Sequence, residues 1–152
     1  IIASMQPSHC TSDMKWLKNR IGSDRLHRIS RWKTLLENNV VIAGGSDCPI
    51  EEGNPLHEYY SAVTRQDHKG FPKGGWQSQE ILSRMEALNI FTTGAAFAEF
   101  SETRRGHIDI GYEADLTILS DDITNISCDK ILKTNIIATV VNGSIVYGEN
   151  NF

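Results

Sequence analysis

Two side chains that suit metal-assisted chemistry follow two short apolar runs of the chain. His9 comes shortly after the apolar residues 1–3, and Asp47 follows the branched run at residues 40–43. A neutral imidazole and a carboxylate are ligands that Zn²⁺ or a similar divalent ion accepts, and an aspartate beside such an ion can take a proton from water. The pair therefore indicates a candidate metal site. Each residue also has an ordinary interpretation, His9 as a surface or core histidine and Asp47 as a cap of a turn or helix.

The elements that would position these residues are strands of a parallel sheet. Residues 40–43 form a continuous branched run, which is typical of a strand covered on both faces, and Gly44 ends it. The run that begins at Ile1 is halted by Pro7, which predicts a buried strand that leads into a loop containing His9. Because loops at the carboxyl ends of parallel strands line one edge of a sheet, we expect His9 and Asp47 to converge there.

Helices are predicted between and after these strands from apolar spacings of three and four and from capping residues. From Arg25 onward the pattern favours one amphipathic helix, with a strand at residues 26–29 as an alternative. The predicted helices are a short one that starts after the capping residues 11–13, one at residues 25–36, one after Pro55, one at residues 78–89 capped by Ser78, and one at residues 92–100. The order of strand, loop and helix predicts an α/β fold.

The composition changes near residue 101, and the last third of the chain is rich in strand-forming residues. Asn142-Gly143 stands between two branched runs and predicts a two-residue hairpin, because both central positions of that turn need a positive φ. We therefore expect two parts. Residues 1–100 would form the first part, and residues 101–152 a small β-rich domain.

Composition and charge exclude several classes of partner. The net charge is −4 and no cationic run is present, so nucleic acid is not an expected partner. The longest apolar runs fall far short of the ~20 residues that cross a bilayer, so we expect no membrane association. Three scattered cysteines, Cys10, Cys48 and Cys128, indicate free thiols in a reducing compartment, and the expected location is the cytoplasm.

Other residues invite chemistry with less support. Cys10 and Cys48 directly follow the two candidate ligands, but buried free thiols are favoured over a four-ligand metal site. The glycines before Asp47 lack the lysine and spacing of a phosphate-binding loop. Arg65, Trp76 and the loop at residues 70–75 would contact substrate or serve the structure. The remaining histidines lack ligand-spaced partners; we expect His57, His68 and His107 at the surface, and His27 in the core or at the surface.

Several ordered motifs resemble one family. The segments that carry the resemblance are residues 4–9, 12–14, 31–32, 45–47, 54–56, 64–67 and 94–96, followed by residues 106–116 and 140–147. Together they are similar to the C-terminal half of metal-dependent amidohydrolases of the amidohydrolase-3 (YtcJ-like) group. The resemblance covers nearly the whole chain, and several motifs in the same order are more specific than any single one.

The resemblance implies that residues 1–100 are the C-terminal portion of a catalytic domain, the last βα units of a (β/α)₈ TIM-type barrel, and that residues 101–152 are part of a small β-sandwich domain. It implies that His9 is the metal-ligand histidine after the sixth barrel strand. Asp47 would be the aspartate after the eighth strand, both metal ligand and proton acceptor. The implied reaction is hydrolysis of an amide or related C–N bond of a small-molecule substrate by metal-activated water, with zinc as the expected ion.

The sequence also departs from the pattern of that group. It contains no His-x-His of a first barrel strand and no positions that match the ligands of the middle strands, whereas a catalytic zinc takes three protein ligands. The chain opens at Ile1 inside an apolar run. We therefore expect a C-terminal fragment that is inactive alone and that self-associates or pairs with a missing N-terminal portion. The alternative is a non-catalytic half-barrel that serves assembly or interaction.

Overall fold

The computed structural model describes residues 1–148, which form a mixed α/β structure. The strands are β1 (Ala3–Met5), β2 (Ile42–Gly44), β3 (Leu116–Leu119), β4 (Ile136–Val141) and β5 (Ser144–Tyr147). The α-helices are α1 (Pro7–Asp13), α2 (Leu17–Ile21), α3 (Trp32–Glu37), α4 (Pro55–Thr64), α5 (Arg84–Phe91), α6 (Thr93–Ala98) and α7 (Cys128–Ile131). Two 3₁₀ segments cover Ser23–Arg28 and Ser78–Glu80.

The first two strands form a parallel pair. Ala3 lies opposite Ile42 and Met5 opposite Gly44, and the chain between them contains the helices α1 to α3. Just past the strands, the Gly45 amide donates to the Met5 carbonyl at 3.1 Å, so both strands end at the same edge. The predicted parallel strands and the α/β order are thus confirmed. The complete eight-stranded barrel stays a prediction.

The direct pairing of β1 with β2 corrects the strand positions that the resemblance implied. In a (β/α)₈ barrel consecutive strands are neighbours, so a sixth strand and an eighth strand are separated by the seventh. Here β1 bonds directly to β2. The assignment of His9 to the sixth strand and Asp47 to the eighth is therefore wrong, because His9 follows the strand immediately before the one that leads to Asp47.

Helix α4 is the central element of the core. The Asn54 side chain accepts a hydrogen bond from the Leu56 amide at 3.0 Å, Pro55 occupies the first turn, and Arg65 ends the helix with a left-handed φ of 52°. Every residue of α4 from Glu58 to Thr64 is buried. The buried apolar cluster around it comprises Cys10, Trp32, Ile42, Leu56, Tyr59, Tyr60, Ala62, Val63, Leu82, Ala87, Ile90, Ile123 and Ile131.

Helices α5 and α6 pack directly on strand β2. A Cβ atom at Gly94 of α6 would overlap the carbonyl oxygen of Ile42, and a Cβ at Gly44 would overlap the ring of Phe91. Only glycine allows such a close approach of backbone to a neighbouring element. The backbone of β2, the strand that leads to Asp47, is therefore in direct contact with the backbone of α6 at Gly94.

Two helix starts differ from the sequence prediction because a better start lies nearby. Residues 11–13, which were expected to cap a helix, instead end α1, which begins at Pro7, whose fixed φ suits a first helical turn. The predicted loop at His9 is consequently helical. The short helix expected after residues 11–13 is α2, which begins only at Leu17. The helix expected from Ser78 begins at Arg84, where Ser83 and Glu86 form a capping box, and residues 78–80 are a 3₁₀ turn.

The single helix predicted at residues 25–36 is also wrong, as is the alternative strand at residues 26–29. A 3₁₀ segment ends at Arg28, and α3 begins only at Trp32. Between them Ser30 has a left-handed φ of 53°, which interrupts any helix. The Ser30 carbonyl accepts a hydrogen bond from the Arg65 guanidinium at 3.0 Å, so a distant residue fixes this break.

The last third of the described chain is a three-stranded antiparallel sheet in the order β3-β4-β5. The predicted hairpin is confirmed, since Asn142 and Gly143 have φ values of 49° and 76° between β4 and β5. Ile131 of α7 and Ile123 insert into the core around α4. The expected domain boundary at residue 100 stays a prediction. None of the helices within residues 1–148 has the length and apolar character that crossing a bilayer requires.

Candidate functional site

His9 occupies the third position of α1, close to the end of β1. The residue is partly buried, and its Nε2 atom is buried without a hydrogen-bond partner in the described part of the chain. Most buried polar atoms in proteins are hydrogen-bonded, so an orphaned imidazole nitrogen needs an explanation. A bound ion or ligand would supply one.

His9 lines a small cavity at the end of β1. The cavity has a volume of about 240 Å³ and combines polar with apolar walls. Its lining residues are Met5, Gln6, His9, Cys10, Asp13, Leu17, Ile29, Ser30 and Trp32. His9 and Asp13 stand one turn apart on α1 and share a face. Burial raises the pKa of Asp13 above its ordinary value, while the neighbouring His9 opposes that rise and Glu51 adds to it.

Asp47 lies in the loop after β2. It is exposed, it has a left-handed φ of 55°, and its carbonyl accepts a hydrogen bond from the Ile50 amide at 2.8 Å. Pairing of β1 with β2 brings the segments of His9 and Asp47 to the same sheet edge, but Asp47 does not line the cavity of His9. The structure thus confirms the common edge and leaves the convergence of the two side chains a prediction.

The side chains at this edge fit part of a metal site. The orphaned His9 nitrogen and the exposed Asp47 carboxylate have the chemistry of zinc ligands. Across residues 1–148, however, no three or more His, Cys, Asp or Glu side chains are grouped as an ion requires. The described residues therefore supply at most part of such a ligand set.

Glu58 is a residue near His9 that the sequence analysis missed. It lies on α4 with 1% of its surface exposed and accepts hydrogen bonds from the amide of Ser8, at 2.9 Å, and from the Ser8 hydroxyl. Burial raises the pKa of Glu58, and the two bonds from Ser8 oppose that rise. No local sequence pattern predicts this contact, because Ser8 and Glu58 are distant in sequence and meet only when α4 packs on α1.

Arg65 has a structural role rather than an open face toward substrate. The residue is completely buried, and its Nε and Nη1 atoms donate to the carbonyls of Trp76 at 2.5 Å and Ser30 at 3.0 Å. The guanidinium also lies 4.2 Å from the ring centre of Trp32. Burial lowers the pKa of Arg65, which the nearby Cys10 and Glu80 oppose. Arg65 therefore links Trp76, at the end of the loop that follows α4, to Ser30, in the segment that precedes α3.

The two cysteines that follow the candidate ligands lie in different environments. Cys10 is buried, and burial, partly opposed by Arg65, raises the pKa of its thiol to about 11. Cys48 is exposed in the loop of Asp47. The expected buried free thiol is thus confirmed for Cys10 and wrong for Cys48, and the described residues do not form the four-ligand site.

The remaining histidines are mostly at the surface. His27, His68 and His107 are exposed, as expected for the last two, whereas His57 is partly buried. The rings of His57 and His68 lie 4.2 Å apart, and Nδ1 of His57 is 3.2 Å from a carboxylate oxygen of Glu52. The contact with His68 joins the start of α4 to the loop that follows the helix, and the contact with Glu52 joins it to the loop that precedes the helix.

Comparison with known proteins finds one family and several relatives. The model of a family described as the amidohydrolase family matches residues 1–147. The Bacillus subtilis (strain 168) protein YtcJ is 38% identical over 147 residues, which cover 97% of this chain and 28% of YtcJ. The N-substituted formamide deformylase of Arthrobacter pascens is 25% identical over 115 residues, covering 76% of this chain and 21% of the deformylase.

A solved structure is also similar to this chain. A metal-dependent hydrolase from Pyrococcus horikoshii OT3 superposes with a TM-score of 0.73 at 27% sequence identity, over 84% of this chain and 26% of that chain. The present chain therefore spans about a quarter of the length of the proteins that it matches.

Proposed function

This chain belongs to the amidohydrolase-3 family, and from that premise we propose that it forms part of a metal-dependent hydrolase of amide or related C–N bonds. The observation that carries the proposal is the orphaned Nε2 atom of His9 at the sheet edge from which the Asp47 loop departs. The TIM-type barrel and the small β-sandwich are the proposed frame. Free Cys10, Cys48 and Cys128 support a reducing compartment such as the cytoplasm.

We assign His9 and Asp47 to the metal site and Asp47 to proton transfer. The corrected strand order removes the support that His9 drew from the sixth-strand position, so its assignment rests on the orphaned nitrogen and the cavity. When bound, a divalent cation such as zinc polarises the carbonyl of the substrate and makes water a stronger nucleophile at neutral pH. The Asp47 carboxylate takes the proton of the attacking water and returns it to the leaving nitrogen.

The substrate in this proposal is a small molecule with an amide bond. The lining of the cavity beside His9 combines apolar side chains, such as Leu17 and Trp32, with polar ones, which suits an apolar substituent on a polar linkage. The name of the Arthrobacter pascens relative points to the same bond type. N-substituted formamides are therefore suitable first probes.

We further propose that the 152-residue chain alone does not catalyse this reaction. Its sequence contains no His-x-His pair, and the described residues group no three potential ligands. A competent site then needs ligands from elsewhere, through self-association or through pairing with the rest of a longer chain. Ile108 and Ile110, which are 90% and 98% exposed, support such pairing.

The ligand assignment is tested on the purified chain with Zn²⁺ and with Co²⁺ as a spectroscopic substitute. We expect weak binding that His9→Asn and Asp47→Asn both abolish, whereas the exposed control His107→Asn leaves it unchanged. Equal binding by all four proteins would contradict the assignment, and so would a complete lack of binding. Loss of binding in Asp47→Asn alone would remove His9 from the ligand set.

The inactivity of the isolated chain is tested with N-benzylformamide and with N-acetyl amino acids. We expect no hydrolysis above the rate with buffer and zinc. Turnover by a sample that holds stoichiometric metal would overturn the proposed inactivity.

The non-catalytic alternative is a half-barrel that serves assembly, and the same exposed isoleucines favour it. Sedimentation combined with the zinc titration separates the two functions. Stable self-association without any zinc response would support the assembly module, whereas a zinc response that needs His9 and Asp47 would support the hydrolase.

A further inference from the structure

Helix α1, which carries His9, has an unusual start. Its N-cap residue, Gln6, makes no capping hydrogen bond with its side chain, although the first amides of a helix have no partner within it. The missing acceptor comes from another helix. Glu58 of α4 accepts the amide of Ser8 at 2.9 Å and also the Ser8 hydroxyl.

The environment makes this contact strong and directional. Glu58 is 1% exposed and Ser8 is 5% exposed, so water does not compete for their hydrogen bonds. Hydrogen bonds to an ionised acceptor are shorter and stronger than neutral ones, and a carboxylate also suits the positive end of a helix. Ser8 is further fixed because its carbonyl accepts the Thr11 hydroxyl at 3.0 Å. The first turn of α1 is thus fixed both by hydrogen bonds to Glu58 of α4 and by one hydrogen bond within α1.

The position of Glu58 links the two candidate ligands. His9 directly follows Ser8, and α4 begins at Pro55, at the end of the loop that contains Asp47. The contact between Glu58 and Ser8 therefore joins α1, which carries His9, to α4, which directly follows the loop of Asp47.

We propose that Glu58 is a positioning residue for the candidate site. It fixes the first turn of α1 and thereby the direction of the His9 imidazole relative to the Asp47 loop. The relevance to catalysis rests on the proposed function, but the positioning of His9 is a property of the chain that can be tested without any metal.

The test compares Glu58→Gln with Glu52→Gln, a matched change at an exposed carboxylate in the preceding loop. The glutamine amide can accept the Ser8 amide with its oxygen and donate to the Ser8 hydroxyl with its NH₂ group, so the negative charge of the acceptor is lost and the bond to the hydroxyl is reversed. We expect exchange of the Ser8 amide to accelerate about 10-fold or more, and the ring resonances of His9 to shift, while circular dichroism stays unchanged. Glu52→Gln leaves both signals as in the parent chain.

Zinc titration followed at the His9 ring supplies the second measurement. Substitution of a residue that orients a metal ligand commonly lowers metal affinity by about 10–100-fold, and we expect a loss of zinc affinity in that range for Glu58→Gln. If zinc leaves His9 unaffected in every protein while Glu58→Gln still moves the Ser8 and His9 signals, the ligand assignment fails and the positioning stands. If Glu58→Gln moves neither signal, the positioning is overturned.

A second variant guards against unfolding of Glu58→Gln. Ser8→Ala keeps the backbone amide that Glu58 accepts and removes only the hydroxyl donor. It should shift the His9 resonances in the same direction by a smaller amount. Unchanged His9 resonances in a folded Ser8→Ala protein would count against Glu58 as the residue that orients this ring.

Discussion

The helical region up to residue 100 and the β-rich region after it are held together in different ways. In the first region, buried polar side chains join elements that are far apart in sequence, as Glu58 does with Ser8 and Arg65 with Ser30. In the second, every residue of β5 is exposed. The candidate ligands belong to the region with the buried links, so the geometry of the site depends on specific contacts more than on strand pairing.

The attachment of the β-rich region is narrow by comparison. Ile123 and Ile131 enter the common core, and the Tyr59 hydroxyl donates to the Ile123 carbonyl at 3.3 Å. The ion pairs of this region, such as Arg104 with Glu113 at 3.1 Å, involve partly exposed side chains. Pairs of that kind contribute only about 0–1 kcal/mol each. The connection to the helical region therefore consists of the buried apolar side chains and of the hydrogen bonds that Arg84 of α5 donates to the carbonyls of Ile123, at 3.0 Å, and Ile126, at 2.9 Å.

The largest expected effect comes from removing the ring that stacks on Arg65. Trp32 is 1% exposed, and we expect Trp32→Ala to lower the free energy of unfolding by about 3–5 kcal/mol, because it leaves a cavity beside a buried cation. Chemical denaturation measures this change. The matched variant Trp16→Ala removes a ring that is 46% exposed and should cost less than about 1 kcal/mol. Similar losses for both variants would show that the stack on Arg65 contributes nothing special.

The next effect tests the narrow attachment of the β-rich region. Ile131 is completely buried, and Ile131→Ala should lower the free energy of unfolding by about 2–4 kcal/mol. Val146, in β5, is 61% exposed, and Val146→Ala should change it by no more than about 0.5 kcal/mol. A small effect of Ile131→Ala would mean that the two regions are stabilised independently.

Thiol labelling compares two environments within the helical region, the buried Cys10 and the exposed Cys48, without changing the core. Because burial raises the pKa of Cys10 from its ordinary 9.0 to about 11, its thiolate fraction at pH 8 is about 100-fold lower than in the unfolded chain. We expect Cys10 to react at least that much more slowly in the folded protein, and the exposed Cys48 to react at once. Single-cysteine variants analysed by mass spectrometry separate the sites. Rapid labelling of Cys10 under native conditions would show that α1 opens readily.

The smallest expected effect concerns the start of α5. Ser83→Ala removes the capping box and should lower the free energy of unfolding by about 1 kcal/mol. Ser78→Ala, at the residue first expected to cap a helix, should change it by less than about 0.5 kcal/mol. A larger loss for Ser78→Ala would contradict the observed helix start.

Local signals in the sequence predicted part of this fold correctly. The hairpin at Asn142-Gly143, the strand at residues 42–44 and the helix after Pro55 each depend on neighbouring residues alone. The Ser83 to Glu86 capping box is an equally local signal that would have placed α5. The break at Ser30 was not predictable in this way, because a guanidinium from Arg65 stabilises it.

In the candidate site, too, some features follow from local sequence signals and others depend on contacts between distant segments. The placement of His9 and Asp47 after two parallel strands follows from apolar runs and their end points. Which strands those are, and what orients His9, depends on pairing and packing between distant segments. A buried glutamate such as Glu58 resembles any helical glutamate in sequence, and only its packing against Ser8 reveals its role.

The close approach of Gly94 to Ile42 has a consequence for protein engineering. The loop between β2 and α4 is anchored at one end by a strand sealed against α6 and at the other by the Asn54 cap. The part of this loop that follows Asp47 can therefore vary in length and composition while both anchors stay in place. Exchange of residues 48–53, which keeps Asp47 in place, is the natural unit for redesigning this loop, whereas any side chain at position 94 would separate the helix from the strand and disturb the anchor itself.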